Sequence, residues 1–169
     1  MANELKNQQC PICMEKKLTL REEEMDIPHF GLTFIFTMQC EGCGYKKTDL
    51  ESAEQKEPCT YTIEVSEEKD LNARLIKSGE ATVKIPHIIT IESGPESEGY
   101  ITNVEGLLTR IKKILESSYE AEEDDSAKNK LKNMIKKLNK VLACHESIKI
   151  IIQDPTGNSA ILSDKAVKS

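Results

Sequence analysis

With 169 residues and a formal charge of −6, the chain holds one domain or two small ones, and its acidity repels phosphate backbones. Aromatic residues make up 4% and tryptophan is absent, which leaves little material for stacking bases. The polar opening Met1–Gln9 lacks the apolar core of a signal peptide, and no apolar run approaches the roughly 18 residues of a membrane span. A soluble, cytoplasmic protein with no membrane partner is expected, with nucleic acid disfavoured as a ligand.

The first informative feature is a pair of identical short spacings, Cys10-Pro11-Ile12-Cys13 and Cys40-Glu41-Gly42-Cys43, the second followed by Gly44. Each Cys-x-x-Cys curls into a tight turn that aims both sulfurs inward, and two turns supply the four thiolates that zinc prefers. In an unsecreted chain the pattern reads as metal ligation rather than disulfides. Cys10, Cys13, Cys40 and Cys43 are therefore the expected ligands of one structural Zn²⁺, across a gap of 26 residues. Four thiolates and one Zn²⁺ take the formal charge from −6 to −8. A site closed by four protein ligands has no open coordination position, so it predicts scaffolding rather than catalysis.

Between the pairs, Leu18–Arg21 begins one strand-like run. In a second, Leu32, Phe34, Phe36 and Met38 alternate with Thr33, Ile35 and Thr37. Pro28-His29-Phe30-Gly31 is a turn signal between them, with His29 a turn residue rather than a ligand. The prediction is a β-ribbon over residues 1–52, clamped at one end by the metal. The polar stretch Asp49–Pro58 marks a domain boundary, followed by a β-domain over 53–169.

In that second part Tyr61, Ile63 and Val65 alternate, and Ser78-Gly79 predicts a hairpin between Ala73–Lys77 and Ala81–Ile85. Pro86 ends this run, Ile88–Ile91 offers another strand, and His87 reads as a loop residue. Ile148–Ile152 predicts a buried strand and Ala160–Leu162 a last one. Helical periodicity is confined to the middle. Val104, Leu107, Leu108, Ile111, Ile114 and Leu115 share one arc, and Leu131, Met134, Ile135, Leu138, Val141 and Leu142 repeat the offsets. Thr102 with Glu105 suggests a capping box, and Asp124, Asp125 and Ser126 are N-cap candidates. The two arcs predict an αα-hairpin inserted at about residues 103–145.

Few residues suggest chemistry. Lys128, Lys132, Lys136 and Lys140 form a stripe at i+4 intervals, read as the solvated face of the second helix. Cys59 and Cys144 have no second ligand at metal spacing and read as core or surface cysteines. No nucleophile–base constellation and no phosphate-cradling glycine loop stands out, so no enzyme is expected. Asp154-Pro155-Thr156-Gly157-Asn158-Ser159 is either a tight turn or an exposed contact for a partner.

Several segments converge on one family. Cys10-x-x-Cys13, Ile27-Pro28-His29-Phe30-Gly31 and Cys40-x-x-Cys43-Gly44-Tyr45 resemble the ZPR-type zinc-finger family. So do Gly99–Thr102, Val104-Glu105-Gly106-Leu107-Leu108 and Asp154-Pro155-x-Gly157-Asn158-Ser159, in the family's order. The resemblance implies an α+β, mainly β architecture: a zinc ribbon, then a double-stranded β-helix-like domain carrying a helical hairpin. One such module is present, similar to archaeal members. Eukaryotic members resemble two modules in tandem and bind translation elongation factor 1-alpha, acting in its folding or assembly; they were also linked to the cytoplasmic tails of receptor tyrosine kinases. The resemblance thus implies a non-enzymatic zinc-binding interaction protein, a chaperone or assembly factor for a GTPase of that type, with Asp154, Pro155, Gly157, Asn158 and Ser159 as a partner surface. The rival expectation is a nucleic-acid-binding zinc ribbon. It needs a basic patch near the cysteines, where Glu22, Glu23 and Glu24 stand instead and Lys46-Lys47 is the adjacent basic pair after the second knuckle.

Overall fold

The computed structural model describes residues 3–27, 31–54, 56–94 and 97–169. The turn expected at Pro28-His29-Phe30 lies outside the described residues.

Four antiparallel strands open the chain: β1 (Asn3–Gln8), β2 (Leu18–Ile27), β3 (Gly31–Cys40) and β4 (Lys46–Ser52), in the order β1-β2-β3-β4. The two-stranded ribbon expected here is thus corrected to a four-stranded sheet. All six residues of β1 are exposed, and β4 buries only Leu50, so neither strand has an apolar alternation to betray it. They are held by backbone ladders to the two inner strands instead. β2 also runs through Glu22, Glu23 and Glu24 to Ile27, well past Arg21. Its register with β3 spans Leu18↔Cys40 to Ile27↔Gly31.

The rest of the chain is a two-sheet domain. β5 (Cys59–Val65), α1 (Glu68–Leu71), β6 (Arg74–Lys77), β7 (Thr82–Ile85), β8 (Ile89–Ile91) and β9 (Tyr100–Asn103) lead into the helices α2 (Val104–Ala121) and α3 (Asp125–Leu142). β10 (Ile148–Asp154), β11 (Ala160–Leu162) and β12 (Val167–Lys168) follow. One sheet has the order β12-β5-β10-β7-β8 and the other β11-β6-β9. They share one apolar core that includes Ile63, Leu75, Val83, Ile150, Ile152 and Ile161, with Leu108, Ile111 and Leu138 added by the helices. At about 25 cal/mol per Å² of apolar surface removed from water, this cluster is the main source of stability.

The hairpin expected between 73–77 and 81–85 does not form. β6 pairs with β9 and β11, whereas β7 pairs with β10 and β8, so the chain changes sheets at Ser78-Gly79. Leu75, Ile76 and Lys77 are buried in succession, the mark of a strand covered on both faces, for which alternation carries no signal. The Ser78 N–H donates to Ser159 Oγ at 3.0 Å rather than across a hairpin. Strands at Ile89–Ile91 and Ala160–Leu162 form as expected. β10 is central in its sheet but alternates, with Ile148, Ile150 and Ile152 buried and Lys149 exposed.

The two helices form the expected hairpin between β9 and β10. Val104, Leu107, Leu108, Ile111 and Leu115 are buried, while Ile114 of the same arc is 44% exposed. The capping box expected at Thr102 and Glu105 does not form, and the next residue, Asn103, is the N-cap instead. Asn103 Oδ1 accepts from Gly106 N at 2.8 Å, because Thr102 remains paired with Leu75 in the sheet. Asp124 caps α3, accepting from Ala127 N at 2.7 Å. Among the described residues, contacts that tie the four-stranded sheet and its linker to the larger domain include two hydrogen bonds and an ion pair. Lys47 pairs with Glu98 at 3.2 Å, the Gly99 N–H donates to Asp49 Oδ1 at 2.9 Å, and the Lys56 N–H donates to the Thr156 carbonyl at 2.8 Å.

Candidate metal centre

The two cysteine pairs close the same end of the four-stranded sheet with near-identical backbone. In the first, Met14 N donates to the Cys10 carbonyl at 2.9 Å and Cys10 N to the Glu15 carbonyl at 2.9 Å. In the second, Gly44 N donates to the Cys40 carbonyl at 3.0 Å and Cys40 N to the Tyr45 carbonyl at 2.8 Å. A backbone N–H inside each turn also points at the leading sulfur: Ile12 N at 3.4 Å from Cys10 Sγ, Gly42 N at 3.4 Å from Cys40 Sγ. Such donors stabilise thiolate over thiol.

The sulfurs of Cys10, Cys13, Cys40 and Cys43 all lie within 4.8 Å of one another, and they are the one such cluster among the described residues. Cys10 Sγ is 3.7 Å from Cys43 Sγ, and Cys13 Sγ is 3.7 Å from Cys40 Sγ. A regular tetrahedron with Zn–S bonds of about 2.3 Å has edges of about 3.8 Å, so the set matches tetrahedral zinc. Disulfides need S–S near 2.0 Å, and all four cysteines are free. Four protein sulfurs would complete the tetrahedron around such an ion and leave it no position for a substrate.

The thiols also show why a cation belongs there. Burial opposes ionisation of Cys10, but the N–H groups of Cys13 and Ile12 and the neighbouring thiols bring it down to about 7. At Cys13 the Glu15 N–H favours the thiolate, yet burial and the other three sulfurs push it up to about 12. Four thiolates cannot coexist at neutral pH without a positive charge among them, and a divalent ion supplies it. Apolar support is slight. Cys10, Leu18 and Cys40 are the buried residues, with Cys13, Leu20, Met38 and Tyr45 partly covered around them.

The other residues singled out in the sequence lie elsewhere. Asp154–Ser159 forms the tight turn, and little of it lies open to a partner: Asp154, Gly157, Asn158 and Ser159 are buried, Thr156 is half-buried and Pro155 is exposed. The Asp154 carboxylate accepts from Thr156 N at 2.8 Å, Thr156 Oγ1 at 2.7 Å, Asn158 N at 3.0 Å and Ser159 Oγ at 2.6 Å. Burial opposes its charge, but the hydroxyls of Ser159, Thr156 and Ser78 outweigh that and hold the carboxyl below the usual range. Gly157 has φ +68°, and a Cβ there would run into the Glu57 carbonyl, so only glycine fits. Cys59 is buried, its thiol 3.8 Å from the Ser159 carbonyl and pushed up by desolvation; Cys144 is exposed just beyond α3. Lys132, Lys136 and Lys140 face solvent, while Lys128 lies 5.1 Å over the Tyr119 ring. His87 is exposed in the β7–β8 turn at φ +65°.

Two side chains near these sites carry no mark in composition or periodicity: the left-handed Met14 at φ +61°, and buried Lys77, whose Nζ donates to the Ser78 carbonyl at 2.9 Å and to Ser97 Oγ at 3.2 Å. The position of Met14 relative to Cys13, one residue after the pair as Gly44 is after Cys43, was the available signal for the first.

Family models match both parts of the molecule. The ZPR1 zinc-finger domain matches residues 4–58 and the ZPR1 jelly-roll domain residues 69–169, the jelly roll being the two-sheet architecture described above. A ZPR1-like protein of Pyrococcus horikoshii is 37% identical over 166 residues, covering 95% of this chain and 74% of its own. One from Methanocaldococcus jannaschii is 34% identical over 157 residues, covering 92% and 79%. The zinc finger chaperone zpr1 of Schizosaccharomyces pombe is 31% identical over 156 residues, covering 89% of this chain and 34% of its own. No helix among the described residues is long and apolar enough to cross a membrane. A four-cysteine knuckle pair on a β-sheet, followed by a two-sheet domain with a helical hairpin, matches both family models across most of its length: the chain belongs to the ZPR1 family of zinc-finger proteins.

Proposed function

We propose that the chain is a non-enzymatic, cytoplasmic interaction protein holding one zinc ion, and that it serves as a chaperone or assembly factor for a translation elongation factor of the 1-alpha type. The observation that carries the non-enzymatic part is the closed set of four sulfurs, which leaves the metal no position for substrate. The chaperone part is supported by the Schizosaccharomyces pombe relative, which is named a zinc finger chaperone. The elongation factor is what the family resemblance implies. The metal's role is then to hold the small sheet in shape as a docking unit.

Affinity capture from the native source tests this. The zinc-loaded chain should retain a translation GTPase, and chelation should release it. Capture that recovers no such GTPase in any nucleotide state overturns the partner. Against the nucleic-acid alternative, the outward face of the four-stranded sheet carries Glu22, Glu24, Asp26 and Glu51. Tight RNA or DNA binding with a steep salt slope would reverse this reading.

A further inference from the structure

The two faces of the four-stranded sheet differ. Leu50 is buried beside the larger domain, and Ile35 lines the cleft with Gly99 and Tyr100. The opposite face carries the alternate residues of β3: Leu32, Phe34, Phe36 and Met38, with Leu20 and Leu5 continuing from Met38 across β2 and β1. None of these is buried; Leu5 is 60% and Leu32 41% exposed. Around Leu5, Leu20, Phe36 and Met38 the face is hollowed into a depression of about 400 Å³. An apolar face left open in this way on an acidic protein marks an interaction site.

Carboxylates line this stripe on both sides. On β2, Glu22 stands opposite Phe36, Glu24 opposite Phe34 and Asp26 opposite Leu32. On β4, Glu51 stands opposite Phe34 and Asp49 opposite Phe36, though Asp49 is already engaged by Gly99 N; the one cation of this row, Lys47 opposite Met38, is paired with Glu98 at 3.2 Å. Among the described residues, Glu22, Glu24, Asp26 and Glu51 have no ion-pair partner. Like charges ranked along two strands repel one another, a cost that a cationic occupant would relieve.

From this geometry we infer that the open face of the four-stranded sheet is a docking site for a basic amphipathic helix of a partner protein, whose apolar edge lies along Leu32–Met38 while lysines or arginines on both flanks meet the two carboxylate rows. The dimensions agree. The rows flank one strand and so stand about 10 Å apart, close to the width of a helix. The seven residues Leu32–Met38 give the stripe a length of about 20 Å, which a helix of about 14 residues covers. A second copy is a poorer occupant. Its basic helix α3 turns Leu131, Met134, Ile135 and Leu138 inward and offers polar residues such as Lys130, Lys132, Asn133, Lys136 and Lys140 to solvent, with no apolar edge. The inference rests on reading the chain as an interaction protein, but not on the identity of the elongation factor.

The test uses the zinc-loaded full chain and a synthetic helical peptide of about 14 residues with a leucine edge flanked by lysines, beside a counterpart flanked by glutamates. Fluorescence anisotropy should give the lysine peptide a Kd about 10-fold tighter or better than the glutamate peptide, with the gap shrinking at about 0.5 M salt. Glu24→Lys/Glu51→Lys should weaken the lysine peptide about 10-fold, and the neutral Glu24→Gln/Glu51→Gln by less, without loss of zinc. No binding by the wild-type chain, equal binding of the two peptides, or indifference to the charge reversals would overturn the assignment. So would a chain that self-associates through this face, seen by sedimentation as a dimer dissolved by the charge reversals with no peptide bound. Elongation-factor capture by the same variants reads out separately. Capture without peptide binding removes the docking face and leaves the proposed function; peptide binding without capture does the reverse.

Discussion

Met14 and Gly44 occupy the same left-handed position in the two cysteine knuckles, at φ +61° and +74°. Each follows the second cysteine of its pair and returns an N–H to the carbonyl of the first. Glycine takes this conformation without penalty, whereas a residue with a Cβ is strained by about 1–2 kcal/mol. The strain at Met14 is held by the knuckle and its metal. Met14→Gly should therefore stabilise the zinc-loaded protein, by about 0.5–1 kcal/mol after the extra freedom of glycine in the unfolded chain is counted. Urea unfolding of the zinc-loaded forms measures it, and a lower midpoint for the variant would contradict the knuckle geometry.

Asp154 is the hub of the turn that ends β10, so its loss should be felt in the larger domain. Asp154→Ala strands the donors of Thr156, Asn158 and Ser159 and should cost about 2–4 kcal/mol. Asp70 is a second buried carboxylate. Burial opposes its charge, but the N–H groups of Ser66 and Glu67 and the Lys165 ammonium at 2.9 Å hold it below the ordinary range. Both carboxyls titrate lower folded than unfolded. Their contribution is complete above the unfolded carboxylate pKa of about 3.9 and is lost as pH falls through the lower folded values. Thermal melts between about pH 3 and pH 7 should show stability falling on the acid side, with a shallower fall in Asp154→Asn. A variant melt that follows the wild-type acid limb would contradict the role of Asp154.

The helix cap separates two readings one residue apart. Asn103→Ala removes the acceptor for Gly106 N and should cost about 1 kcal/mol, whereas Glu105→Ala should leave the cap intact. Differential scanning calorimetry of the two variants decides; a larger loss in Glu105→Ala would restore the capping box at Thr102.

What the chain discloses by inspection follows from where its signals are local. The cysteine spacing, the two helical arcs and the strand at Ala160–Leu162 are each written in a few consecutive residues, and each appears where expected. β1 and β4 carry no such mark, since they are stabilised by ladder hydrogen bonds that every residue type can make. β6 and β7 read as a hairpin because Ser-Gly is a turn signal, but which strand pairs with which depends on partners far along the chain, such as Ser159 for Ser78. The Asp154–Ser159 turn has the composition of a surface loop and is buried because its polar groups satisfy one another. Knuckle strain at Met14 needs the two pairs to be superposed in thought, since methionine itself gives no hint of positive φ.

The metal centre is the part of the molecule on which the rest of the account depends, and zinc-edge X-ray absorption of the purified full chain tests it most directly. One zinc per chain, with a first shell of four sulfurs at about 2.3 Å and no lighter neighbour, is the predicted spectrum. Cys40→Ser should lose the ion and unfold the four-stranded sheet, as chelation should in the parent chain. A nitrogen or oxygen ligand in the first shell of the wild-type protein would open a coordination position, and would contradict a centre built from Cys10, Cys13, Cys40 and Cys43 alone.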